Sequence, residues 1–236
     1  MMELREVTKD YPQGGRRVHA LRGITLRIAG GEFVSIMGPS GSGKSTLLHL
    51  LGALDAPTSG QVLFEGQDLQ HLSDRERSLV RRQRIGFIFQ FFNLLPTLTA
   101  VENIALPLLL ARIGRREARH RAATALESVG LGHRADHFPE QLSGGEMQRT
   151  AIARALVTGP ALVLCDEPTG NLDSAASREI LAVLRALPDP GRRAVVMVTH
   201  DAQAAAVGDR VVRLRDGRGE VEERVRGPHA VALSNA

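Results

Sequence analysis

The residues with the plainest chemical meaning are Gly38-Pro39-Ser40-Gly41-Ser42-Gly43-Lys44-Ser45, with Thr46 behind them. Glycines in such a run let backbone N–H groups turn inward around phosphate oxygens. The N-terminus of the helix that follows adds a partial positive charge. Lys44 is placed to set its ammonium between the β- and γ-phosphates of a nucleotide, and Ser45 to offer its hydroxyl to Mg2+. Nucleotide hydrolysis also needs a further metal ligand and a base. Leu162-Val163-Leu164-Cys165-Asp166-Glu167 supplies both, as an apolar run that ends in two carboxylates. At the C-terminal end of a buried parallel strand, where such sheets bind ligands, Asp166 is expected to hold Mg2+. Glu167, directed elsewhere by strand alternation, is expected to polarise the attacking water. His200 ends the next apolar run, Ala194 to Thr199, and a neighbouring strand end brings it towards the γ-phosphate.

A second anion-ready helix start is Leu142-Ser143-Gly144-Gly145-Glu146, ahead of the helical run Met147 to Val157. The same residues also read as an ordinary capping box, Ser143 as cap and Glu146 as its acid.

These groups need elements to hold them. Short strands are expected at residues 3–8, 24–28 and 32–37, with a helix from Ser45 to Leu54 after the glycine-rich loop. Residues 61–69 read as strand, 73–83 as a basic helix and 84–90 as a short apolar strand. Residues 98–157 read mostly as helix; in Arg115 to Val129 the residues Ala118, Ala122, Ala125, Leu126 and Val129 share one face. A buried strand (161–165), a helix (174–187) and another buried strand (194–198) follow. The order predicts an α/β parallel-sheet core with a helical subdomain inserted in its middle. Everything after Gly217 is polar, has no clear period and reads as a partly disordered tail.

Composition narrows the field. The chain has 236 residues, 43% hydrophobic and 24% charged, which excludes wholesale disorder. Seven Phe, one Tyr and no Trp argue against a nucleic-acid binder that stacks bases on aromatic surface. All but two of the 30 basic side chains are arginine; the exceptions are Lys9 and Lys44. A single cysteine, Cys165, excludes an internal disulfide framework and a cysteine zinc site. The start lacks an apolar signal core, and the longest apolar stretch, Ile104 to Ala111, is broken by Pro107. It falls far short of the roughly 18 residues of a membrane span. The chain itself is therefore expected to be soluble and cytoplasmic.

Taken in order, the phosphate loop, Gln90, the Leu142–Glu146 signature, Asp166-Glu167, Asn171-Leu172-Asp173 and His200 resemble the ATP-binding subunit of an ABC transporter. The resemblance covers residues 2–218. Leu54 to Gly60, Ile85 to Thr99, Val101 to Pro107 and Asp166 to Asp173 are similar to the bacterial subfamily of lipoprotein release, macrolide or peptide export and cell division (LolD, MacB and FtsE types).

The resemblance implies a P-loop NTPase core with an N-terminal antiparallel β subdomain. It also implies a single nucleotide-binding domain at 1–218: a core from 1–91 and 158–218, and a helical subdomain at 92–157 that carries the signature. Residues 219–236 are then the polar tail. It implies a head-to-tail dimer in which each ATP lies between one chain's Lys44 loop and the partner's Ser143-Gly144-Gly145. Tyr11 is implied to stack on adenine with Val18 beside it, and Gln90 to sense Mg2+ and the γ-phosphate. Asp173 is implied to make a contact across the dimer. Residues 91–95 are implied to face a separate membrane permease, and export is the implied direction. Glu146 and Met147 depart from the commonest signature residues. Three rival readings remain: a switch on a cell-division partner, a nucleic-acid-associated ATPase using Arg75–Arg84 and Arg112–Arg121, and a nucleotide kinase. The last leaves the signature, Gln90 and His200 without a task, and no nucleic-acid partner is expected.

Overall fold

The computed structural model describes residues 1–14 and 16–225. Two sheets divide the strands. β1 (Met2–Gln13) and β2 (Arg16–Ile28) pair antiparallel over their whole length, from Met2 opposite Ile28 to Gln13 opposite Arg16. Both strands are far longer than the sequence suggests. The outer half of β2 is exposed at four successive positions, Arg16 to His19, so it carries no apolar alternation to read. β4 (Ser59–Phe64) and the two-residue β5 (Gln67–Asp68) complete a sheet of order β2-β1-β4-β5.

The second sheet contains β3 (Phe33–Met37), β6 (Ile85–Phe89), β7 (Leu162–Asp166), β8 (Ala194–Thr199), β9 (Arg210–Arg215) and β10 (Arg218–Arg224), in the order β10-β9-β3-β8-β7-β6. Every neighbouring pair is parallel except β9 with β10. β8 is buried at all six positions, as its unbroken apolar run demands of a strand covered on both faces.

β10 corrects the reading of the tail. Residues 218–224 pair antiparallel with β9 and belong to the sheet. An edge strand has one neighbour and needs no apolar period, so the composition hid it. Residues 226–236 lie outside the described residues.

Helix α1 (Lys44–Leu51) lies between the two sheets. Its Leu47, Leu48, Leu50 and Leu51 join Leu4, Ile28 and Val62 from one sheet and Ile36, Leu164 and Val196 from the other in one core. On the opposite face of the parallel sheet, Phe33, Val163, Cys165 and Met197 pack with Ile180 and Leu184 of α6 (Ser174–Arg185). A third core belongs to the inserted helices α3 (Ala100–Leu110), α4 (Arg115–Ser128) and α5 (Gly144–Leu156), through Ile104, Leu108, Ala122, Leu126 and Ala153. α2 (Asp74–Arg84) buries none of its residues, and the short α7 (Ala202–Ala205) follows β8. Register decides what meets at the sheet's C-terminal edge. Met37 pairs with Thr199, Asp166 with Val198 and Phe89 with Asp166. The phosphate loop, the two carboxylates, His200 and Gln90 therefore all leave from one edge.

Candidate active site

The loop between β3 and α1 is fixed by close backbone packing. A Cβ on Gly38 would stand 2.2 Å from the Leu214 carbonyl oxygen. Gly43, at φ 102°, is left-handed, and a Cβ there would stand 2.5 Å from the Ala20 carbonyl oxygen. No other residue type fits either position without moving backbone. Lys44 opens α1 and is only 7% exposed. Its Nζ donates to the carbonyls of Gly38 (2.8 Å) and Pro39 (2.9 Å), and among the described residues it forms no ion pair. The hydroxyl of Ser42 is buried without a partner. A buried ammonium held by neutral carbonyls, beside an unpaired hydroxyl, has the chemistry of a phosphate seat. Ser45 is exposed at the start of the helix, and Thr46 reaches the Tyr11 hydroxyl.

Across the sheet edge, β7 delivers Asp166 and Glu167. Burial and the neighbouring Glu167 push the Asp166 carboxyl above its usual range, while His49 and Lys44 pull it back. Glu167 is itself left-handed, at φ 44°, and its N–H donates to the Val198 carbonyl at 3.0 Å. A non-glycine residue held there stores strain of about 1–3 kcal/mol, which packed surroundings must maintain. Its Oε1 lies 3.1 Å from His200 Nδ1. The two residues expected to serve hydrolysis are thus one hydrogen bond apart. His200 is 65% exposed by side chain, so its outer face is open.

Gln90, one residue past β6, is also brought to this edge. Its Nε2 donates to Asn171 Oδ1 (3.3 Å), and Asn171 Nδ2 donates back to the Gln90 carbonyl (3.1 Å). Sequence reasoning noted Asn171 only as part of a motif; here it is the residue that orients Gln90. Two residues of α5 were missed altogether. Gln148 is fully buried, and its Nε2 donates to the carbonyls of Pro168 (2.6 Å) and Phe89 (3.3 Å). Arg154 donates to the carbonyls of Asn93 (2.5 Å) and Phe92 (2.8 Å). Nothing but their place on the buried or inward side of a helix could have found them.

The signature is a working helix cap. Ser143 Oγ accepts from Glu146 N–H at 3.3 Å, and Glu146 accepts from Ser143 N–H at 2.8 Å. Arg134 pairs with Glu146 at 3.0 Å. Leu142 is buried, Ser143 is exposed, and Gly144 and Gly145 pack near Leu172 and Ala176 of their own chain. Asp173 caps α6, its Oδ1 accepting from the N–H groups of Ala175 and Ala176 at 2.9 Å each. Of the phenylalanines around Gln90, Phe87 and Phe89 stack on each other at 5.8 Å and Phe92 is half-buried; Phe91 alone is widely exposed, at 71%.

Tyr11 pairs in register with Val18, which is 43% exposed. Its hydroxyl donates to Asp55 Oδ2 at 2.8 Å. Lys9 Nζ lies 4.8 Å from the Tyr11 ring centroid and 2.7 Å from Asp55 Oδ1. Sequence reasoning singled out Lys9 only for its rarity, and Asp55 not at all as a site residue.

The family model described as ABC transporter matches residues 21–170. An ABC transporter ATP-binding protein of Thermotoga maritima is 52% identical over 95% of each chain. LolD, the ATP-binding protein of the lipoprotein-releasing system of Pseudomonas syringae, is 49% identical over 92% of this chain and 96% of its own. The macrolide export ATP-binding/permease protein MacB of Rhodopirellula baltica is 52% identical over 92% of this chain, which spans 32% of that longer protein. In three dimensions the chain is similar to the cassette MJ0796 of Methanocaldococcus jannaschii, seen as a post-hydrolysis dimer bound to ADP and Pi. The TM-score is 0.88 at 46% identity, over 96% of this chain and 100% of the other. The loop with the chemistry of a phosphate seat, the strained carboxylate beside His200 and these matches lead to one conclusion: the chain belongs to the ABC transporter family, as an ATP-binding cassette that hydrolyses ATP.

Proposed function

We propose that this chain closes head to tail with a second copy around two ATP and drives a separate membrane permease that exports a lipoprotein, peptide or drug. The observation that carries the reading is the pair of anion-ready sites in one chain. One is the buried Lys44 in its loop; the other is the exposed Ser143 cap of α5, whose close neighbours are Leu172 and Ala176 rather than that loop. Two-fold closure uses each site twice and completes both. The dimeric MJ0796 cassette and the joined ATP-binding and permease name of MacB support the partners. Among the described residues no helix is long and apolar enough to cross a membrane, so in this reading the cassette sits on the inner membrane face through its permease. The working unit is a core of 1–91 and 158 onward with a helical subdomain at 92–157, and β10 extends that core to Arg224.

Ser45, Asp166 and Gln90 would hold Mg2+: a hydroxyl, a carboxylate and an amide oxygen are the hard oxygen donors that such a cation takes. When bound, Mg2+ neutralises charge on the β- and γ-phosphates. Lys44 leaves its carbonyls for the phosphates. Glu167 takes the proton of the attacking water, and His200 holds Glu167 through Nδ1 and approaches the γ-phosphate. Ser143, Gly144 and Gly145 present the capped helix end to the partner's ATP, with Leu142 and Glu146 fixing the cap and Asp173 at the seam. Tyr11 and Val18 receive adenine. Residues 91–95 meet the permease, with Phe91 at the centre.

A nucleic-acid role has little to stand on. Four of the five arginines of α2 are engaged: Arg77 with Asp74, Arg81 with the Ala53 carbonyl, Arg82 with the Leu110 carbonyl and Arg84 with Glu65. The test is Glu167→Gln incubated with ATP. We expect retained ATP binding, turnover reduced by about 100-fold or more, and a stable dimer on size exclusion. A variant that stays monomeric with ATP bound refutes the closure, and full turnover refutes the base.

A further inference from the structure

We infer that Lys9 and Asp55 are positioning residues for the base of the nucleotide: together they clamp the Tyr11 ring and leave one face of it free for adenine. This rests on the reading that Tyr11 stacks on the base. The clamp has three parts. Asp55 accepts from the Tyr11 hydroxyl through Oδ2 (2.8 Å) and from Lys9 Nζ through Oδ1 (2.7 Å). Lys9 also donates to the Ala56 carbonyl at 2.7 Å, which fixes the ammonium where it stands. From there it lies 4.8 Å from the ring centroid, within range for a cation over an aromatic face. Lys9 and Tyr11 both lie on β1, two positions apart, and so share one face of the strand.

Asp55 comes from the segment that follows α1, whose first turn carries Lys44 and Thr46. Thr46 also reaches the Tyr11 hydroxyl. The same short helix thus carries the phosphate seat at one end and leads into the grip on the ring at the other. Side chains differ in what they leave the ring to do. The phenol oxygen is spent on Asp55, so the ring cannot swing about its Cβ without breaking that bond. One face is occupied by the ammonium, so in this reading a base is confined to the other. A cation on one face also polarises the ring against a stacked base on the opposite one. Lys9 is the other of the chain's two lysines.

The ordinary state of these groups agrees. Burial and the Asp55 hydrogen bond push the Tyr11 phenol above its usual range. Burial raises the Asp55 carboxyl, but the Lys9 and Tyr11 hydrogen bonds outweigh it and hold that carboxyl below its usual range. Asp55 therefore remains an acceptor throughout the neutral range.

The experiment compares Lys9→Met, Lys9→Arg, Asp55→Asn, Tyr11→Phe and Tyr11→Ala with the wild type. Each is measured for the ATP KM, for kcat, and for the inhibition constant of inorganic tripolyphosphate, which occupies the phosphate seat and has no base. Tyr11 is the chain's one tyrosine and there is no tryptophan, so quenching of its emission by ATP reports stacking directly. Lys9→Met and Asp55→Asn are expected to raise the ATP KM about five-fold, from the loss of one hydrogen bond and one cation over the ring. They should leave kcat and the tripolyphosphate constant within about two-fold, and should shift the ATP quench to higher concentration. Lys9→Arg keeps a cation able to lie over the ring and should recover most of the loss. Tyr11→Phe should match Asp55→Asn. An ATP KM within two-fold of wild type in both Lys9→Met and Asp55→Asn overturns the clamp, provided Tyr11→Ala raises it. A tripolyphosphate constant that rises in step with the ATP KM also overturns it, since that marks general loosening. An unchanged KM in Tyr11→Ala overturns the stacking reading instead.

Discussion

Replacing Lys44 by methionine separates binding from stability. Lys44 is 7% exposed and its ammonium is held by two carbonyls, with no carboxylate in bonding range among the described residues. Pro39 is exposed and Gly38 half-buried, so water can take over both carbonyls when the ammonium is lost. Methionine keeps the stem and removes a desolvated charge. The two effects oppose each other, and without nucleotide the variant should differ in stability by no more than about 1 kcal/mol. With nucleotide the balance changes. The phosphates lose a charge-assisted hydrogen bond worth about 1.5–3 kcal/mol, or about 10- to 160-fold in Kd. For a chain of this size 1 kcal/mol corresponds to about 2–4 °C, so a saturating ATP-induced rise in Tm should shrink by about 3–12 °C. Differential scanning fluorimetry with and without ATP, alongside a direct Kd, measures both. A Kd within two-fold of wild type refutes the phosphate seat. A fall in Tm of more than about 8 °C without ATP refutes the argument that Lys44 serves the ligand rather than the fold.

Three further outcomes are expected. Burial and Glu167 raise the folded-state pKa of Asp166, so the folded chain holds that proton longer than the unfolded chain, and stability from this group is lost as pH rises from about 4. Asp166→Asn removes the penalty: at pH 7 without nucleotide it should be at least as stable as wild type in urea, yet without ATPase activity, and a clear loss of stability would contradict the sign. Gly43→Ala forces a Cβ 2.5 Å from the Ala20 carbonyl at φ 102°, and should cost about 2–4 kcal/mol and abolish ATP binding; near-wild-type urea midpoints would show that the loop yields. Cys165 is fully buried, and burial followed by the Asp166 charge pushes its thiol far above the usual range. An aromatic disulfide reagent should label it only in denaturant, and rapid native labelling would place β7 at the surface.

The placement of the candidate site was legible because its residues are contiguous and stand at strand ends. Lys44, Asp166, Glu167 and His200 each follow or terminate an apolar run, and parallel register brings such ends together whatever the loops do. The Lys9–Asp55–Tyr11 clamp was not legible, because its members are joined by tertiary packing across 44 to 46 positions and by no shared spacing. Gln148 and Arg154 were hidden for a related reason: both donate to backbone carbonyls, which leave no trace in side-chain type. In the fold, the parallel strands announced themselves through continuous burial. β10 and the outer half of β2 did not, because an edge or solvated strand is held by backbone pairing that any polar residue can supply.

The grip of α5 on the Gln90 loop has a thermodynamic side. Phe92 and Asn93 both hold left-handed backbone, at φ 59° and 50°, and Arg154 donates to both of their carbonyls while Gln148 donates to that of Phe89. The widely exposed Phe91 is therefore bracketed by anchored neighbours. A loop of this kind has given up most of its conformational freedom before it touches anything. A partner that buries Phe91 meets a surface already in its final shape, and little of the gain from burying that ring is lost to ordering. The same three bonds make α5 and the loop one mechanical piece.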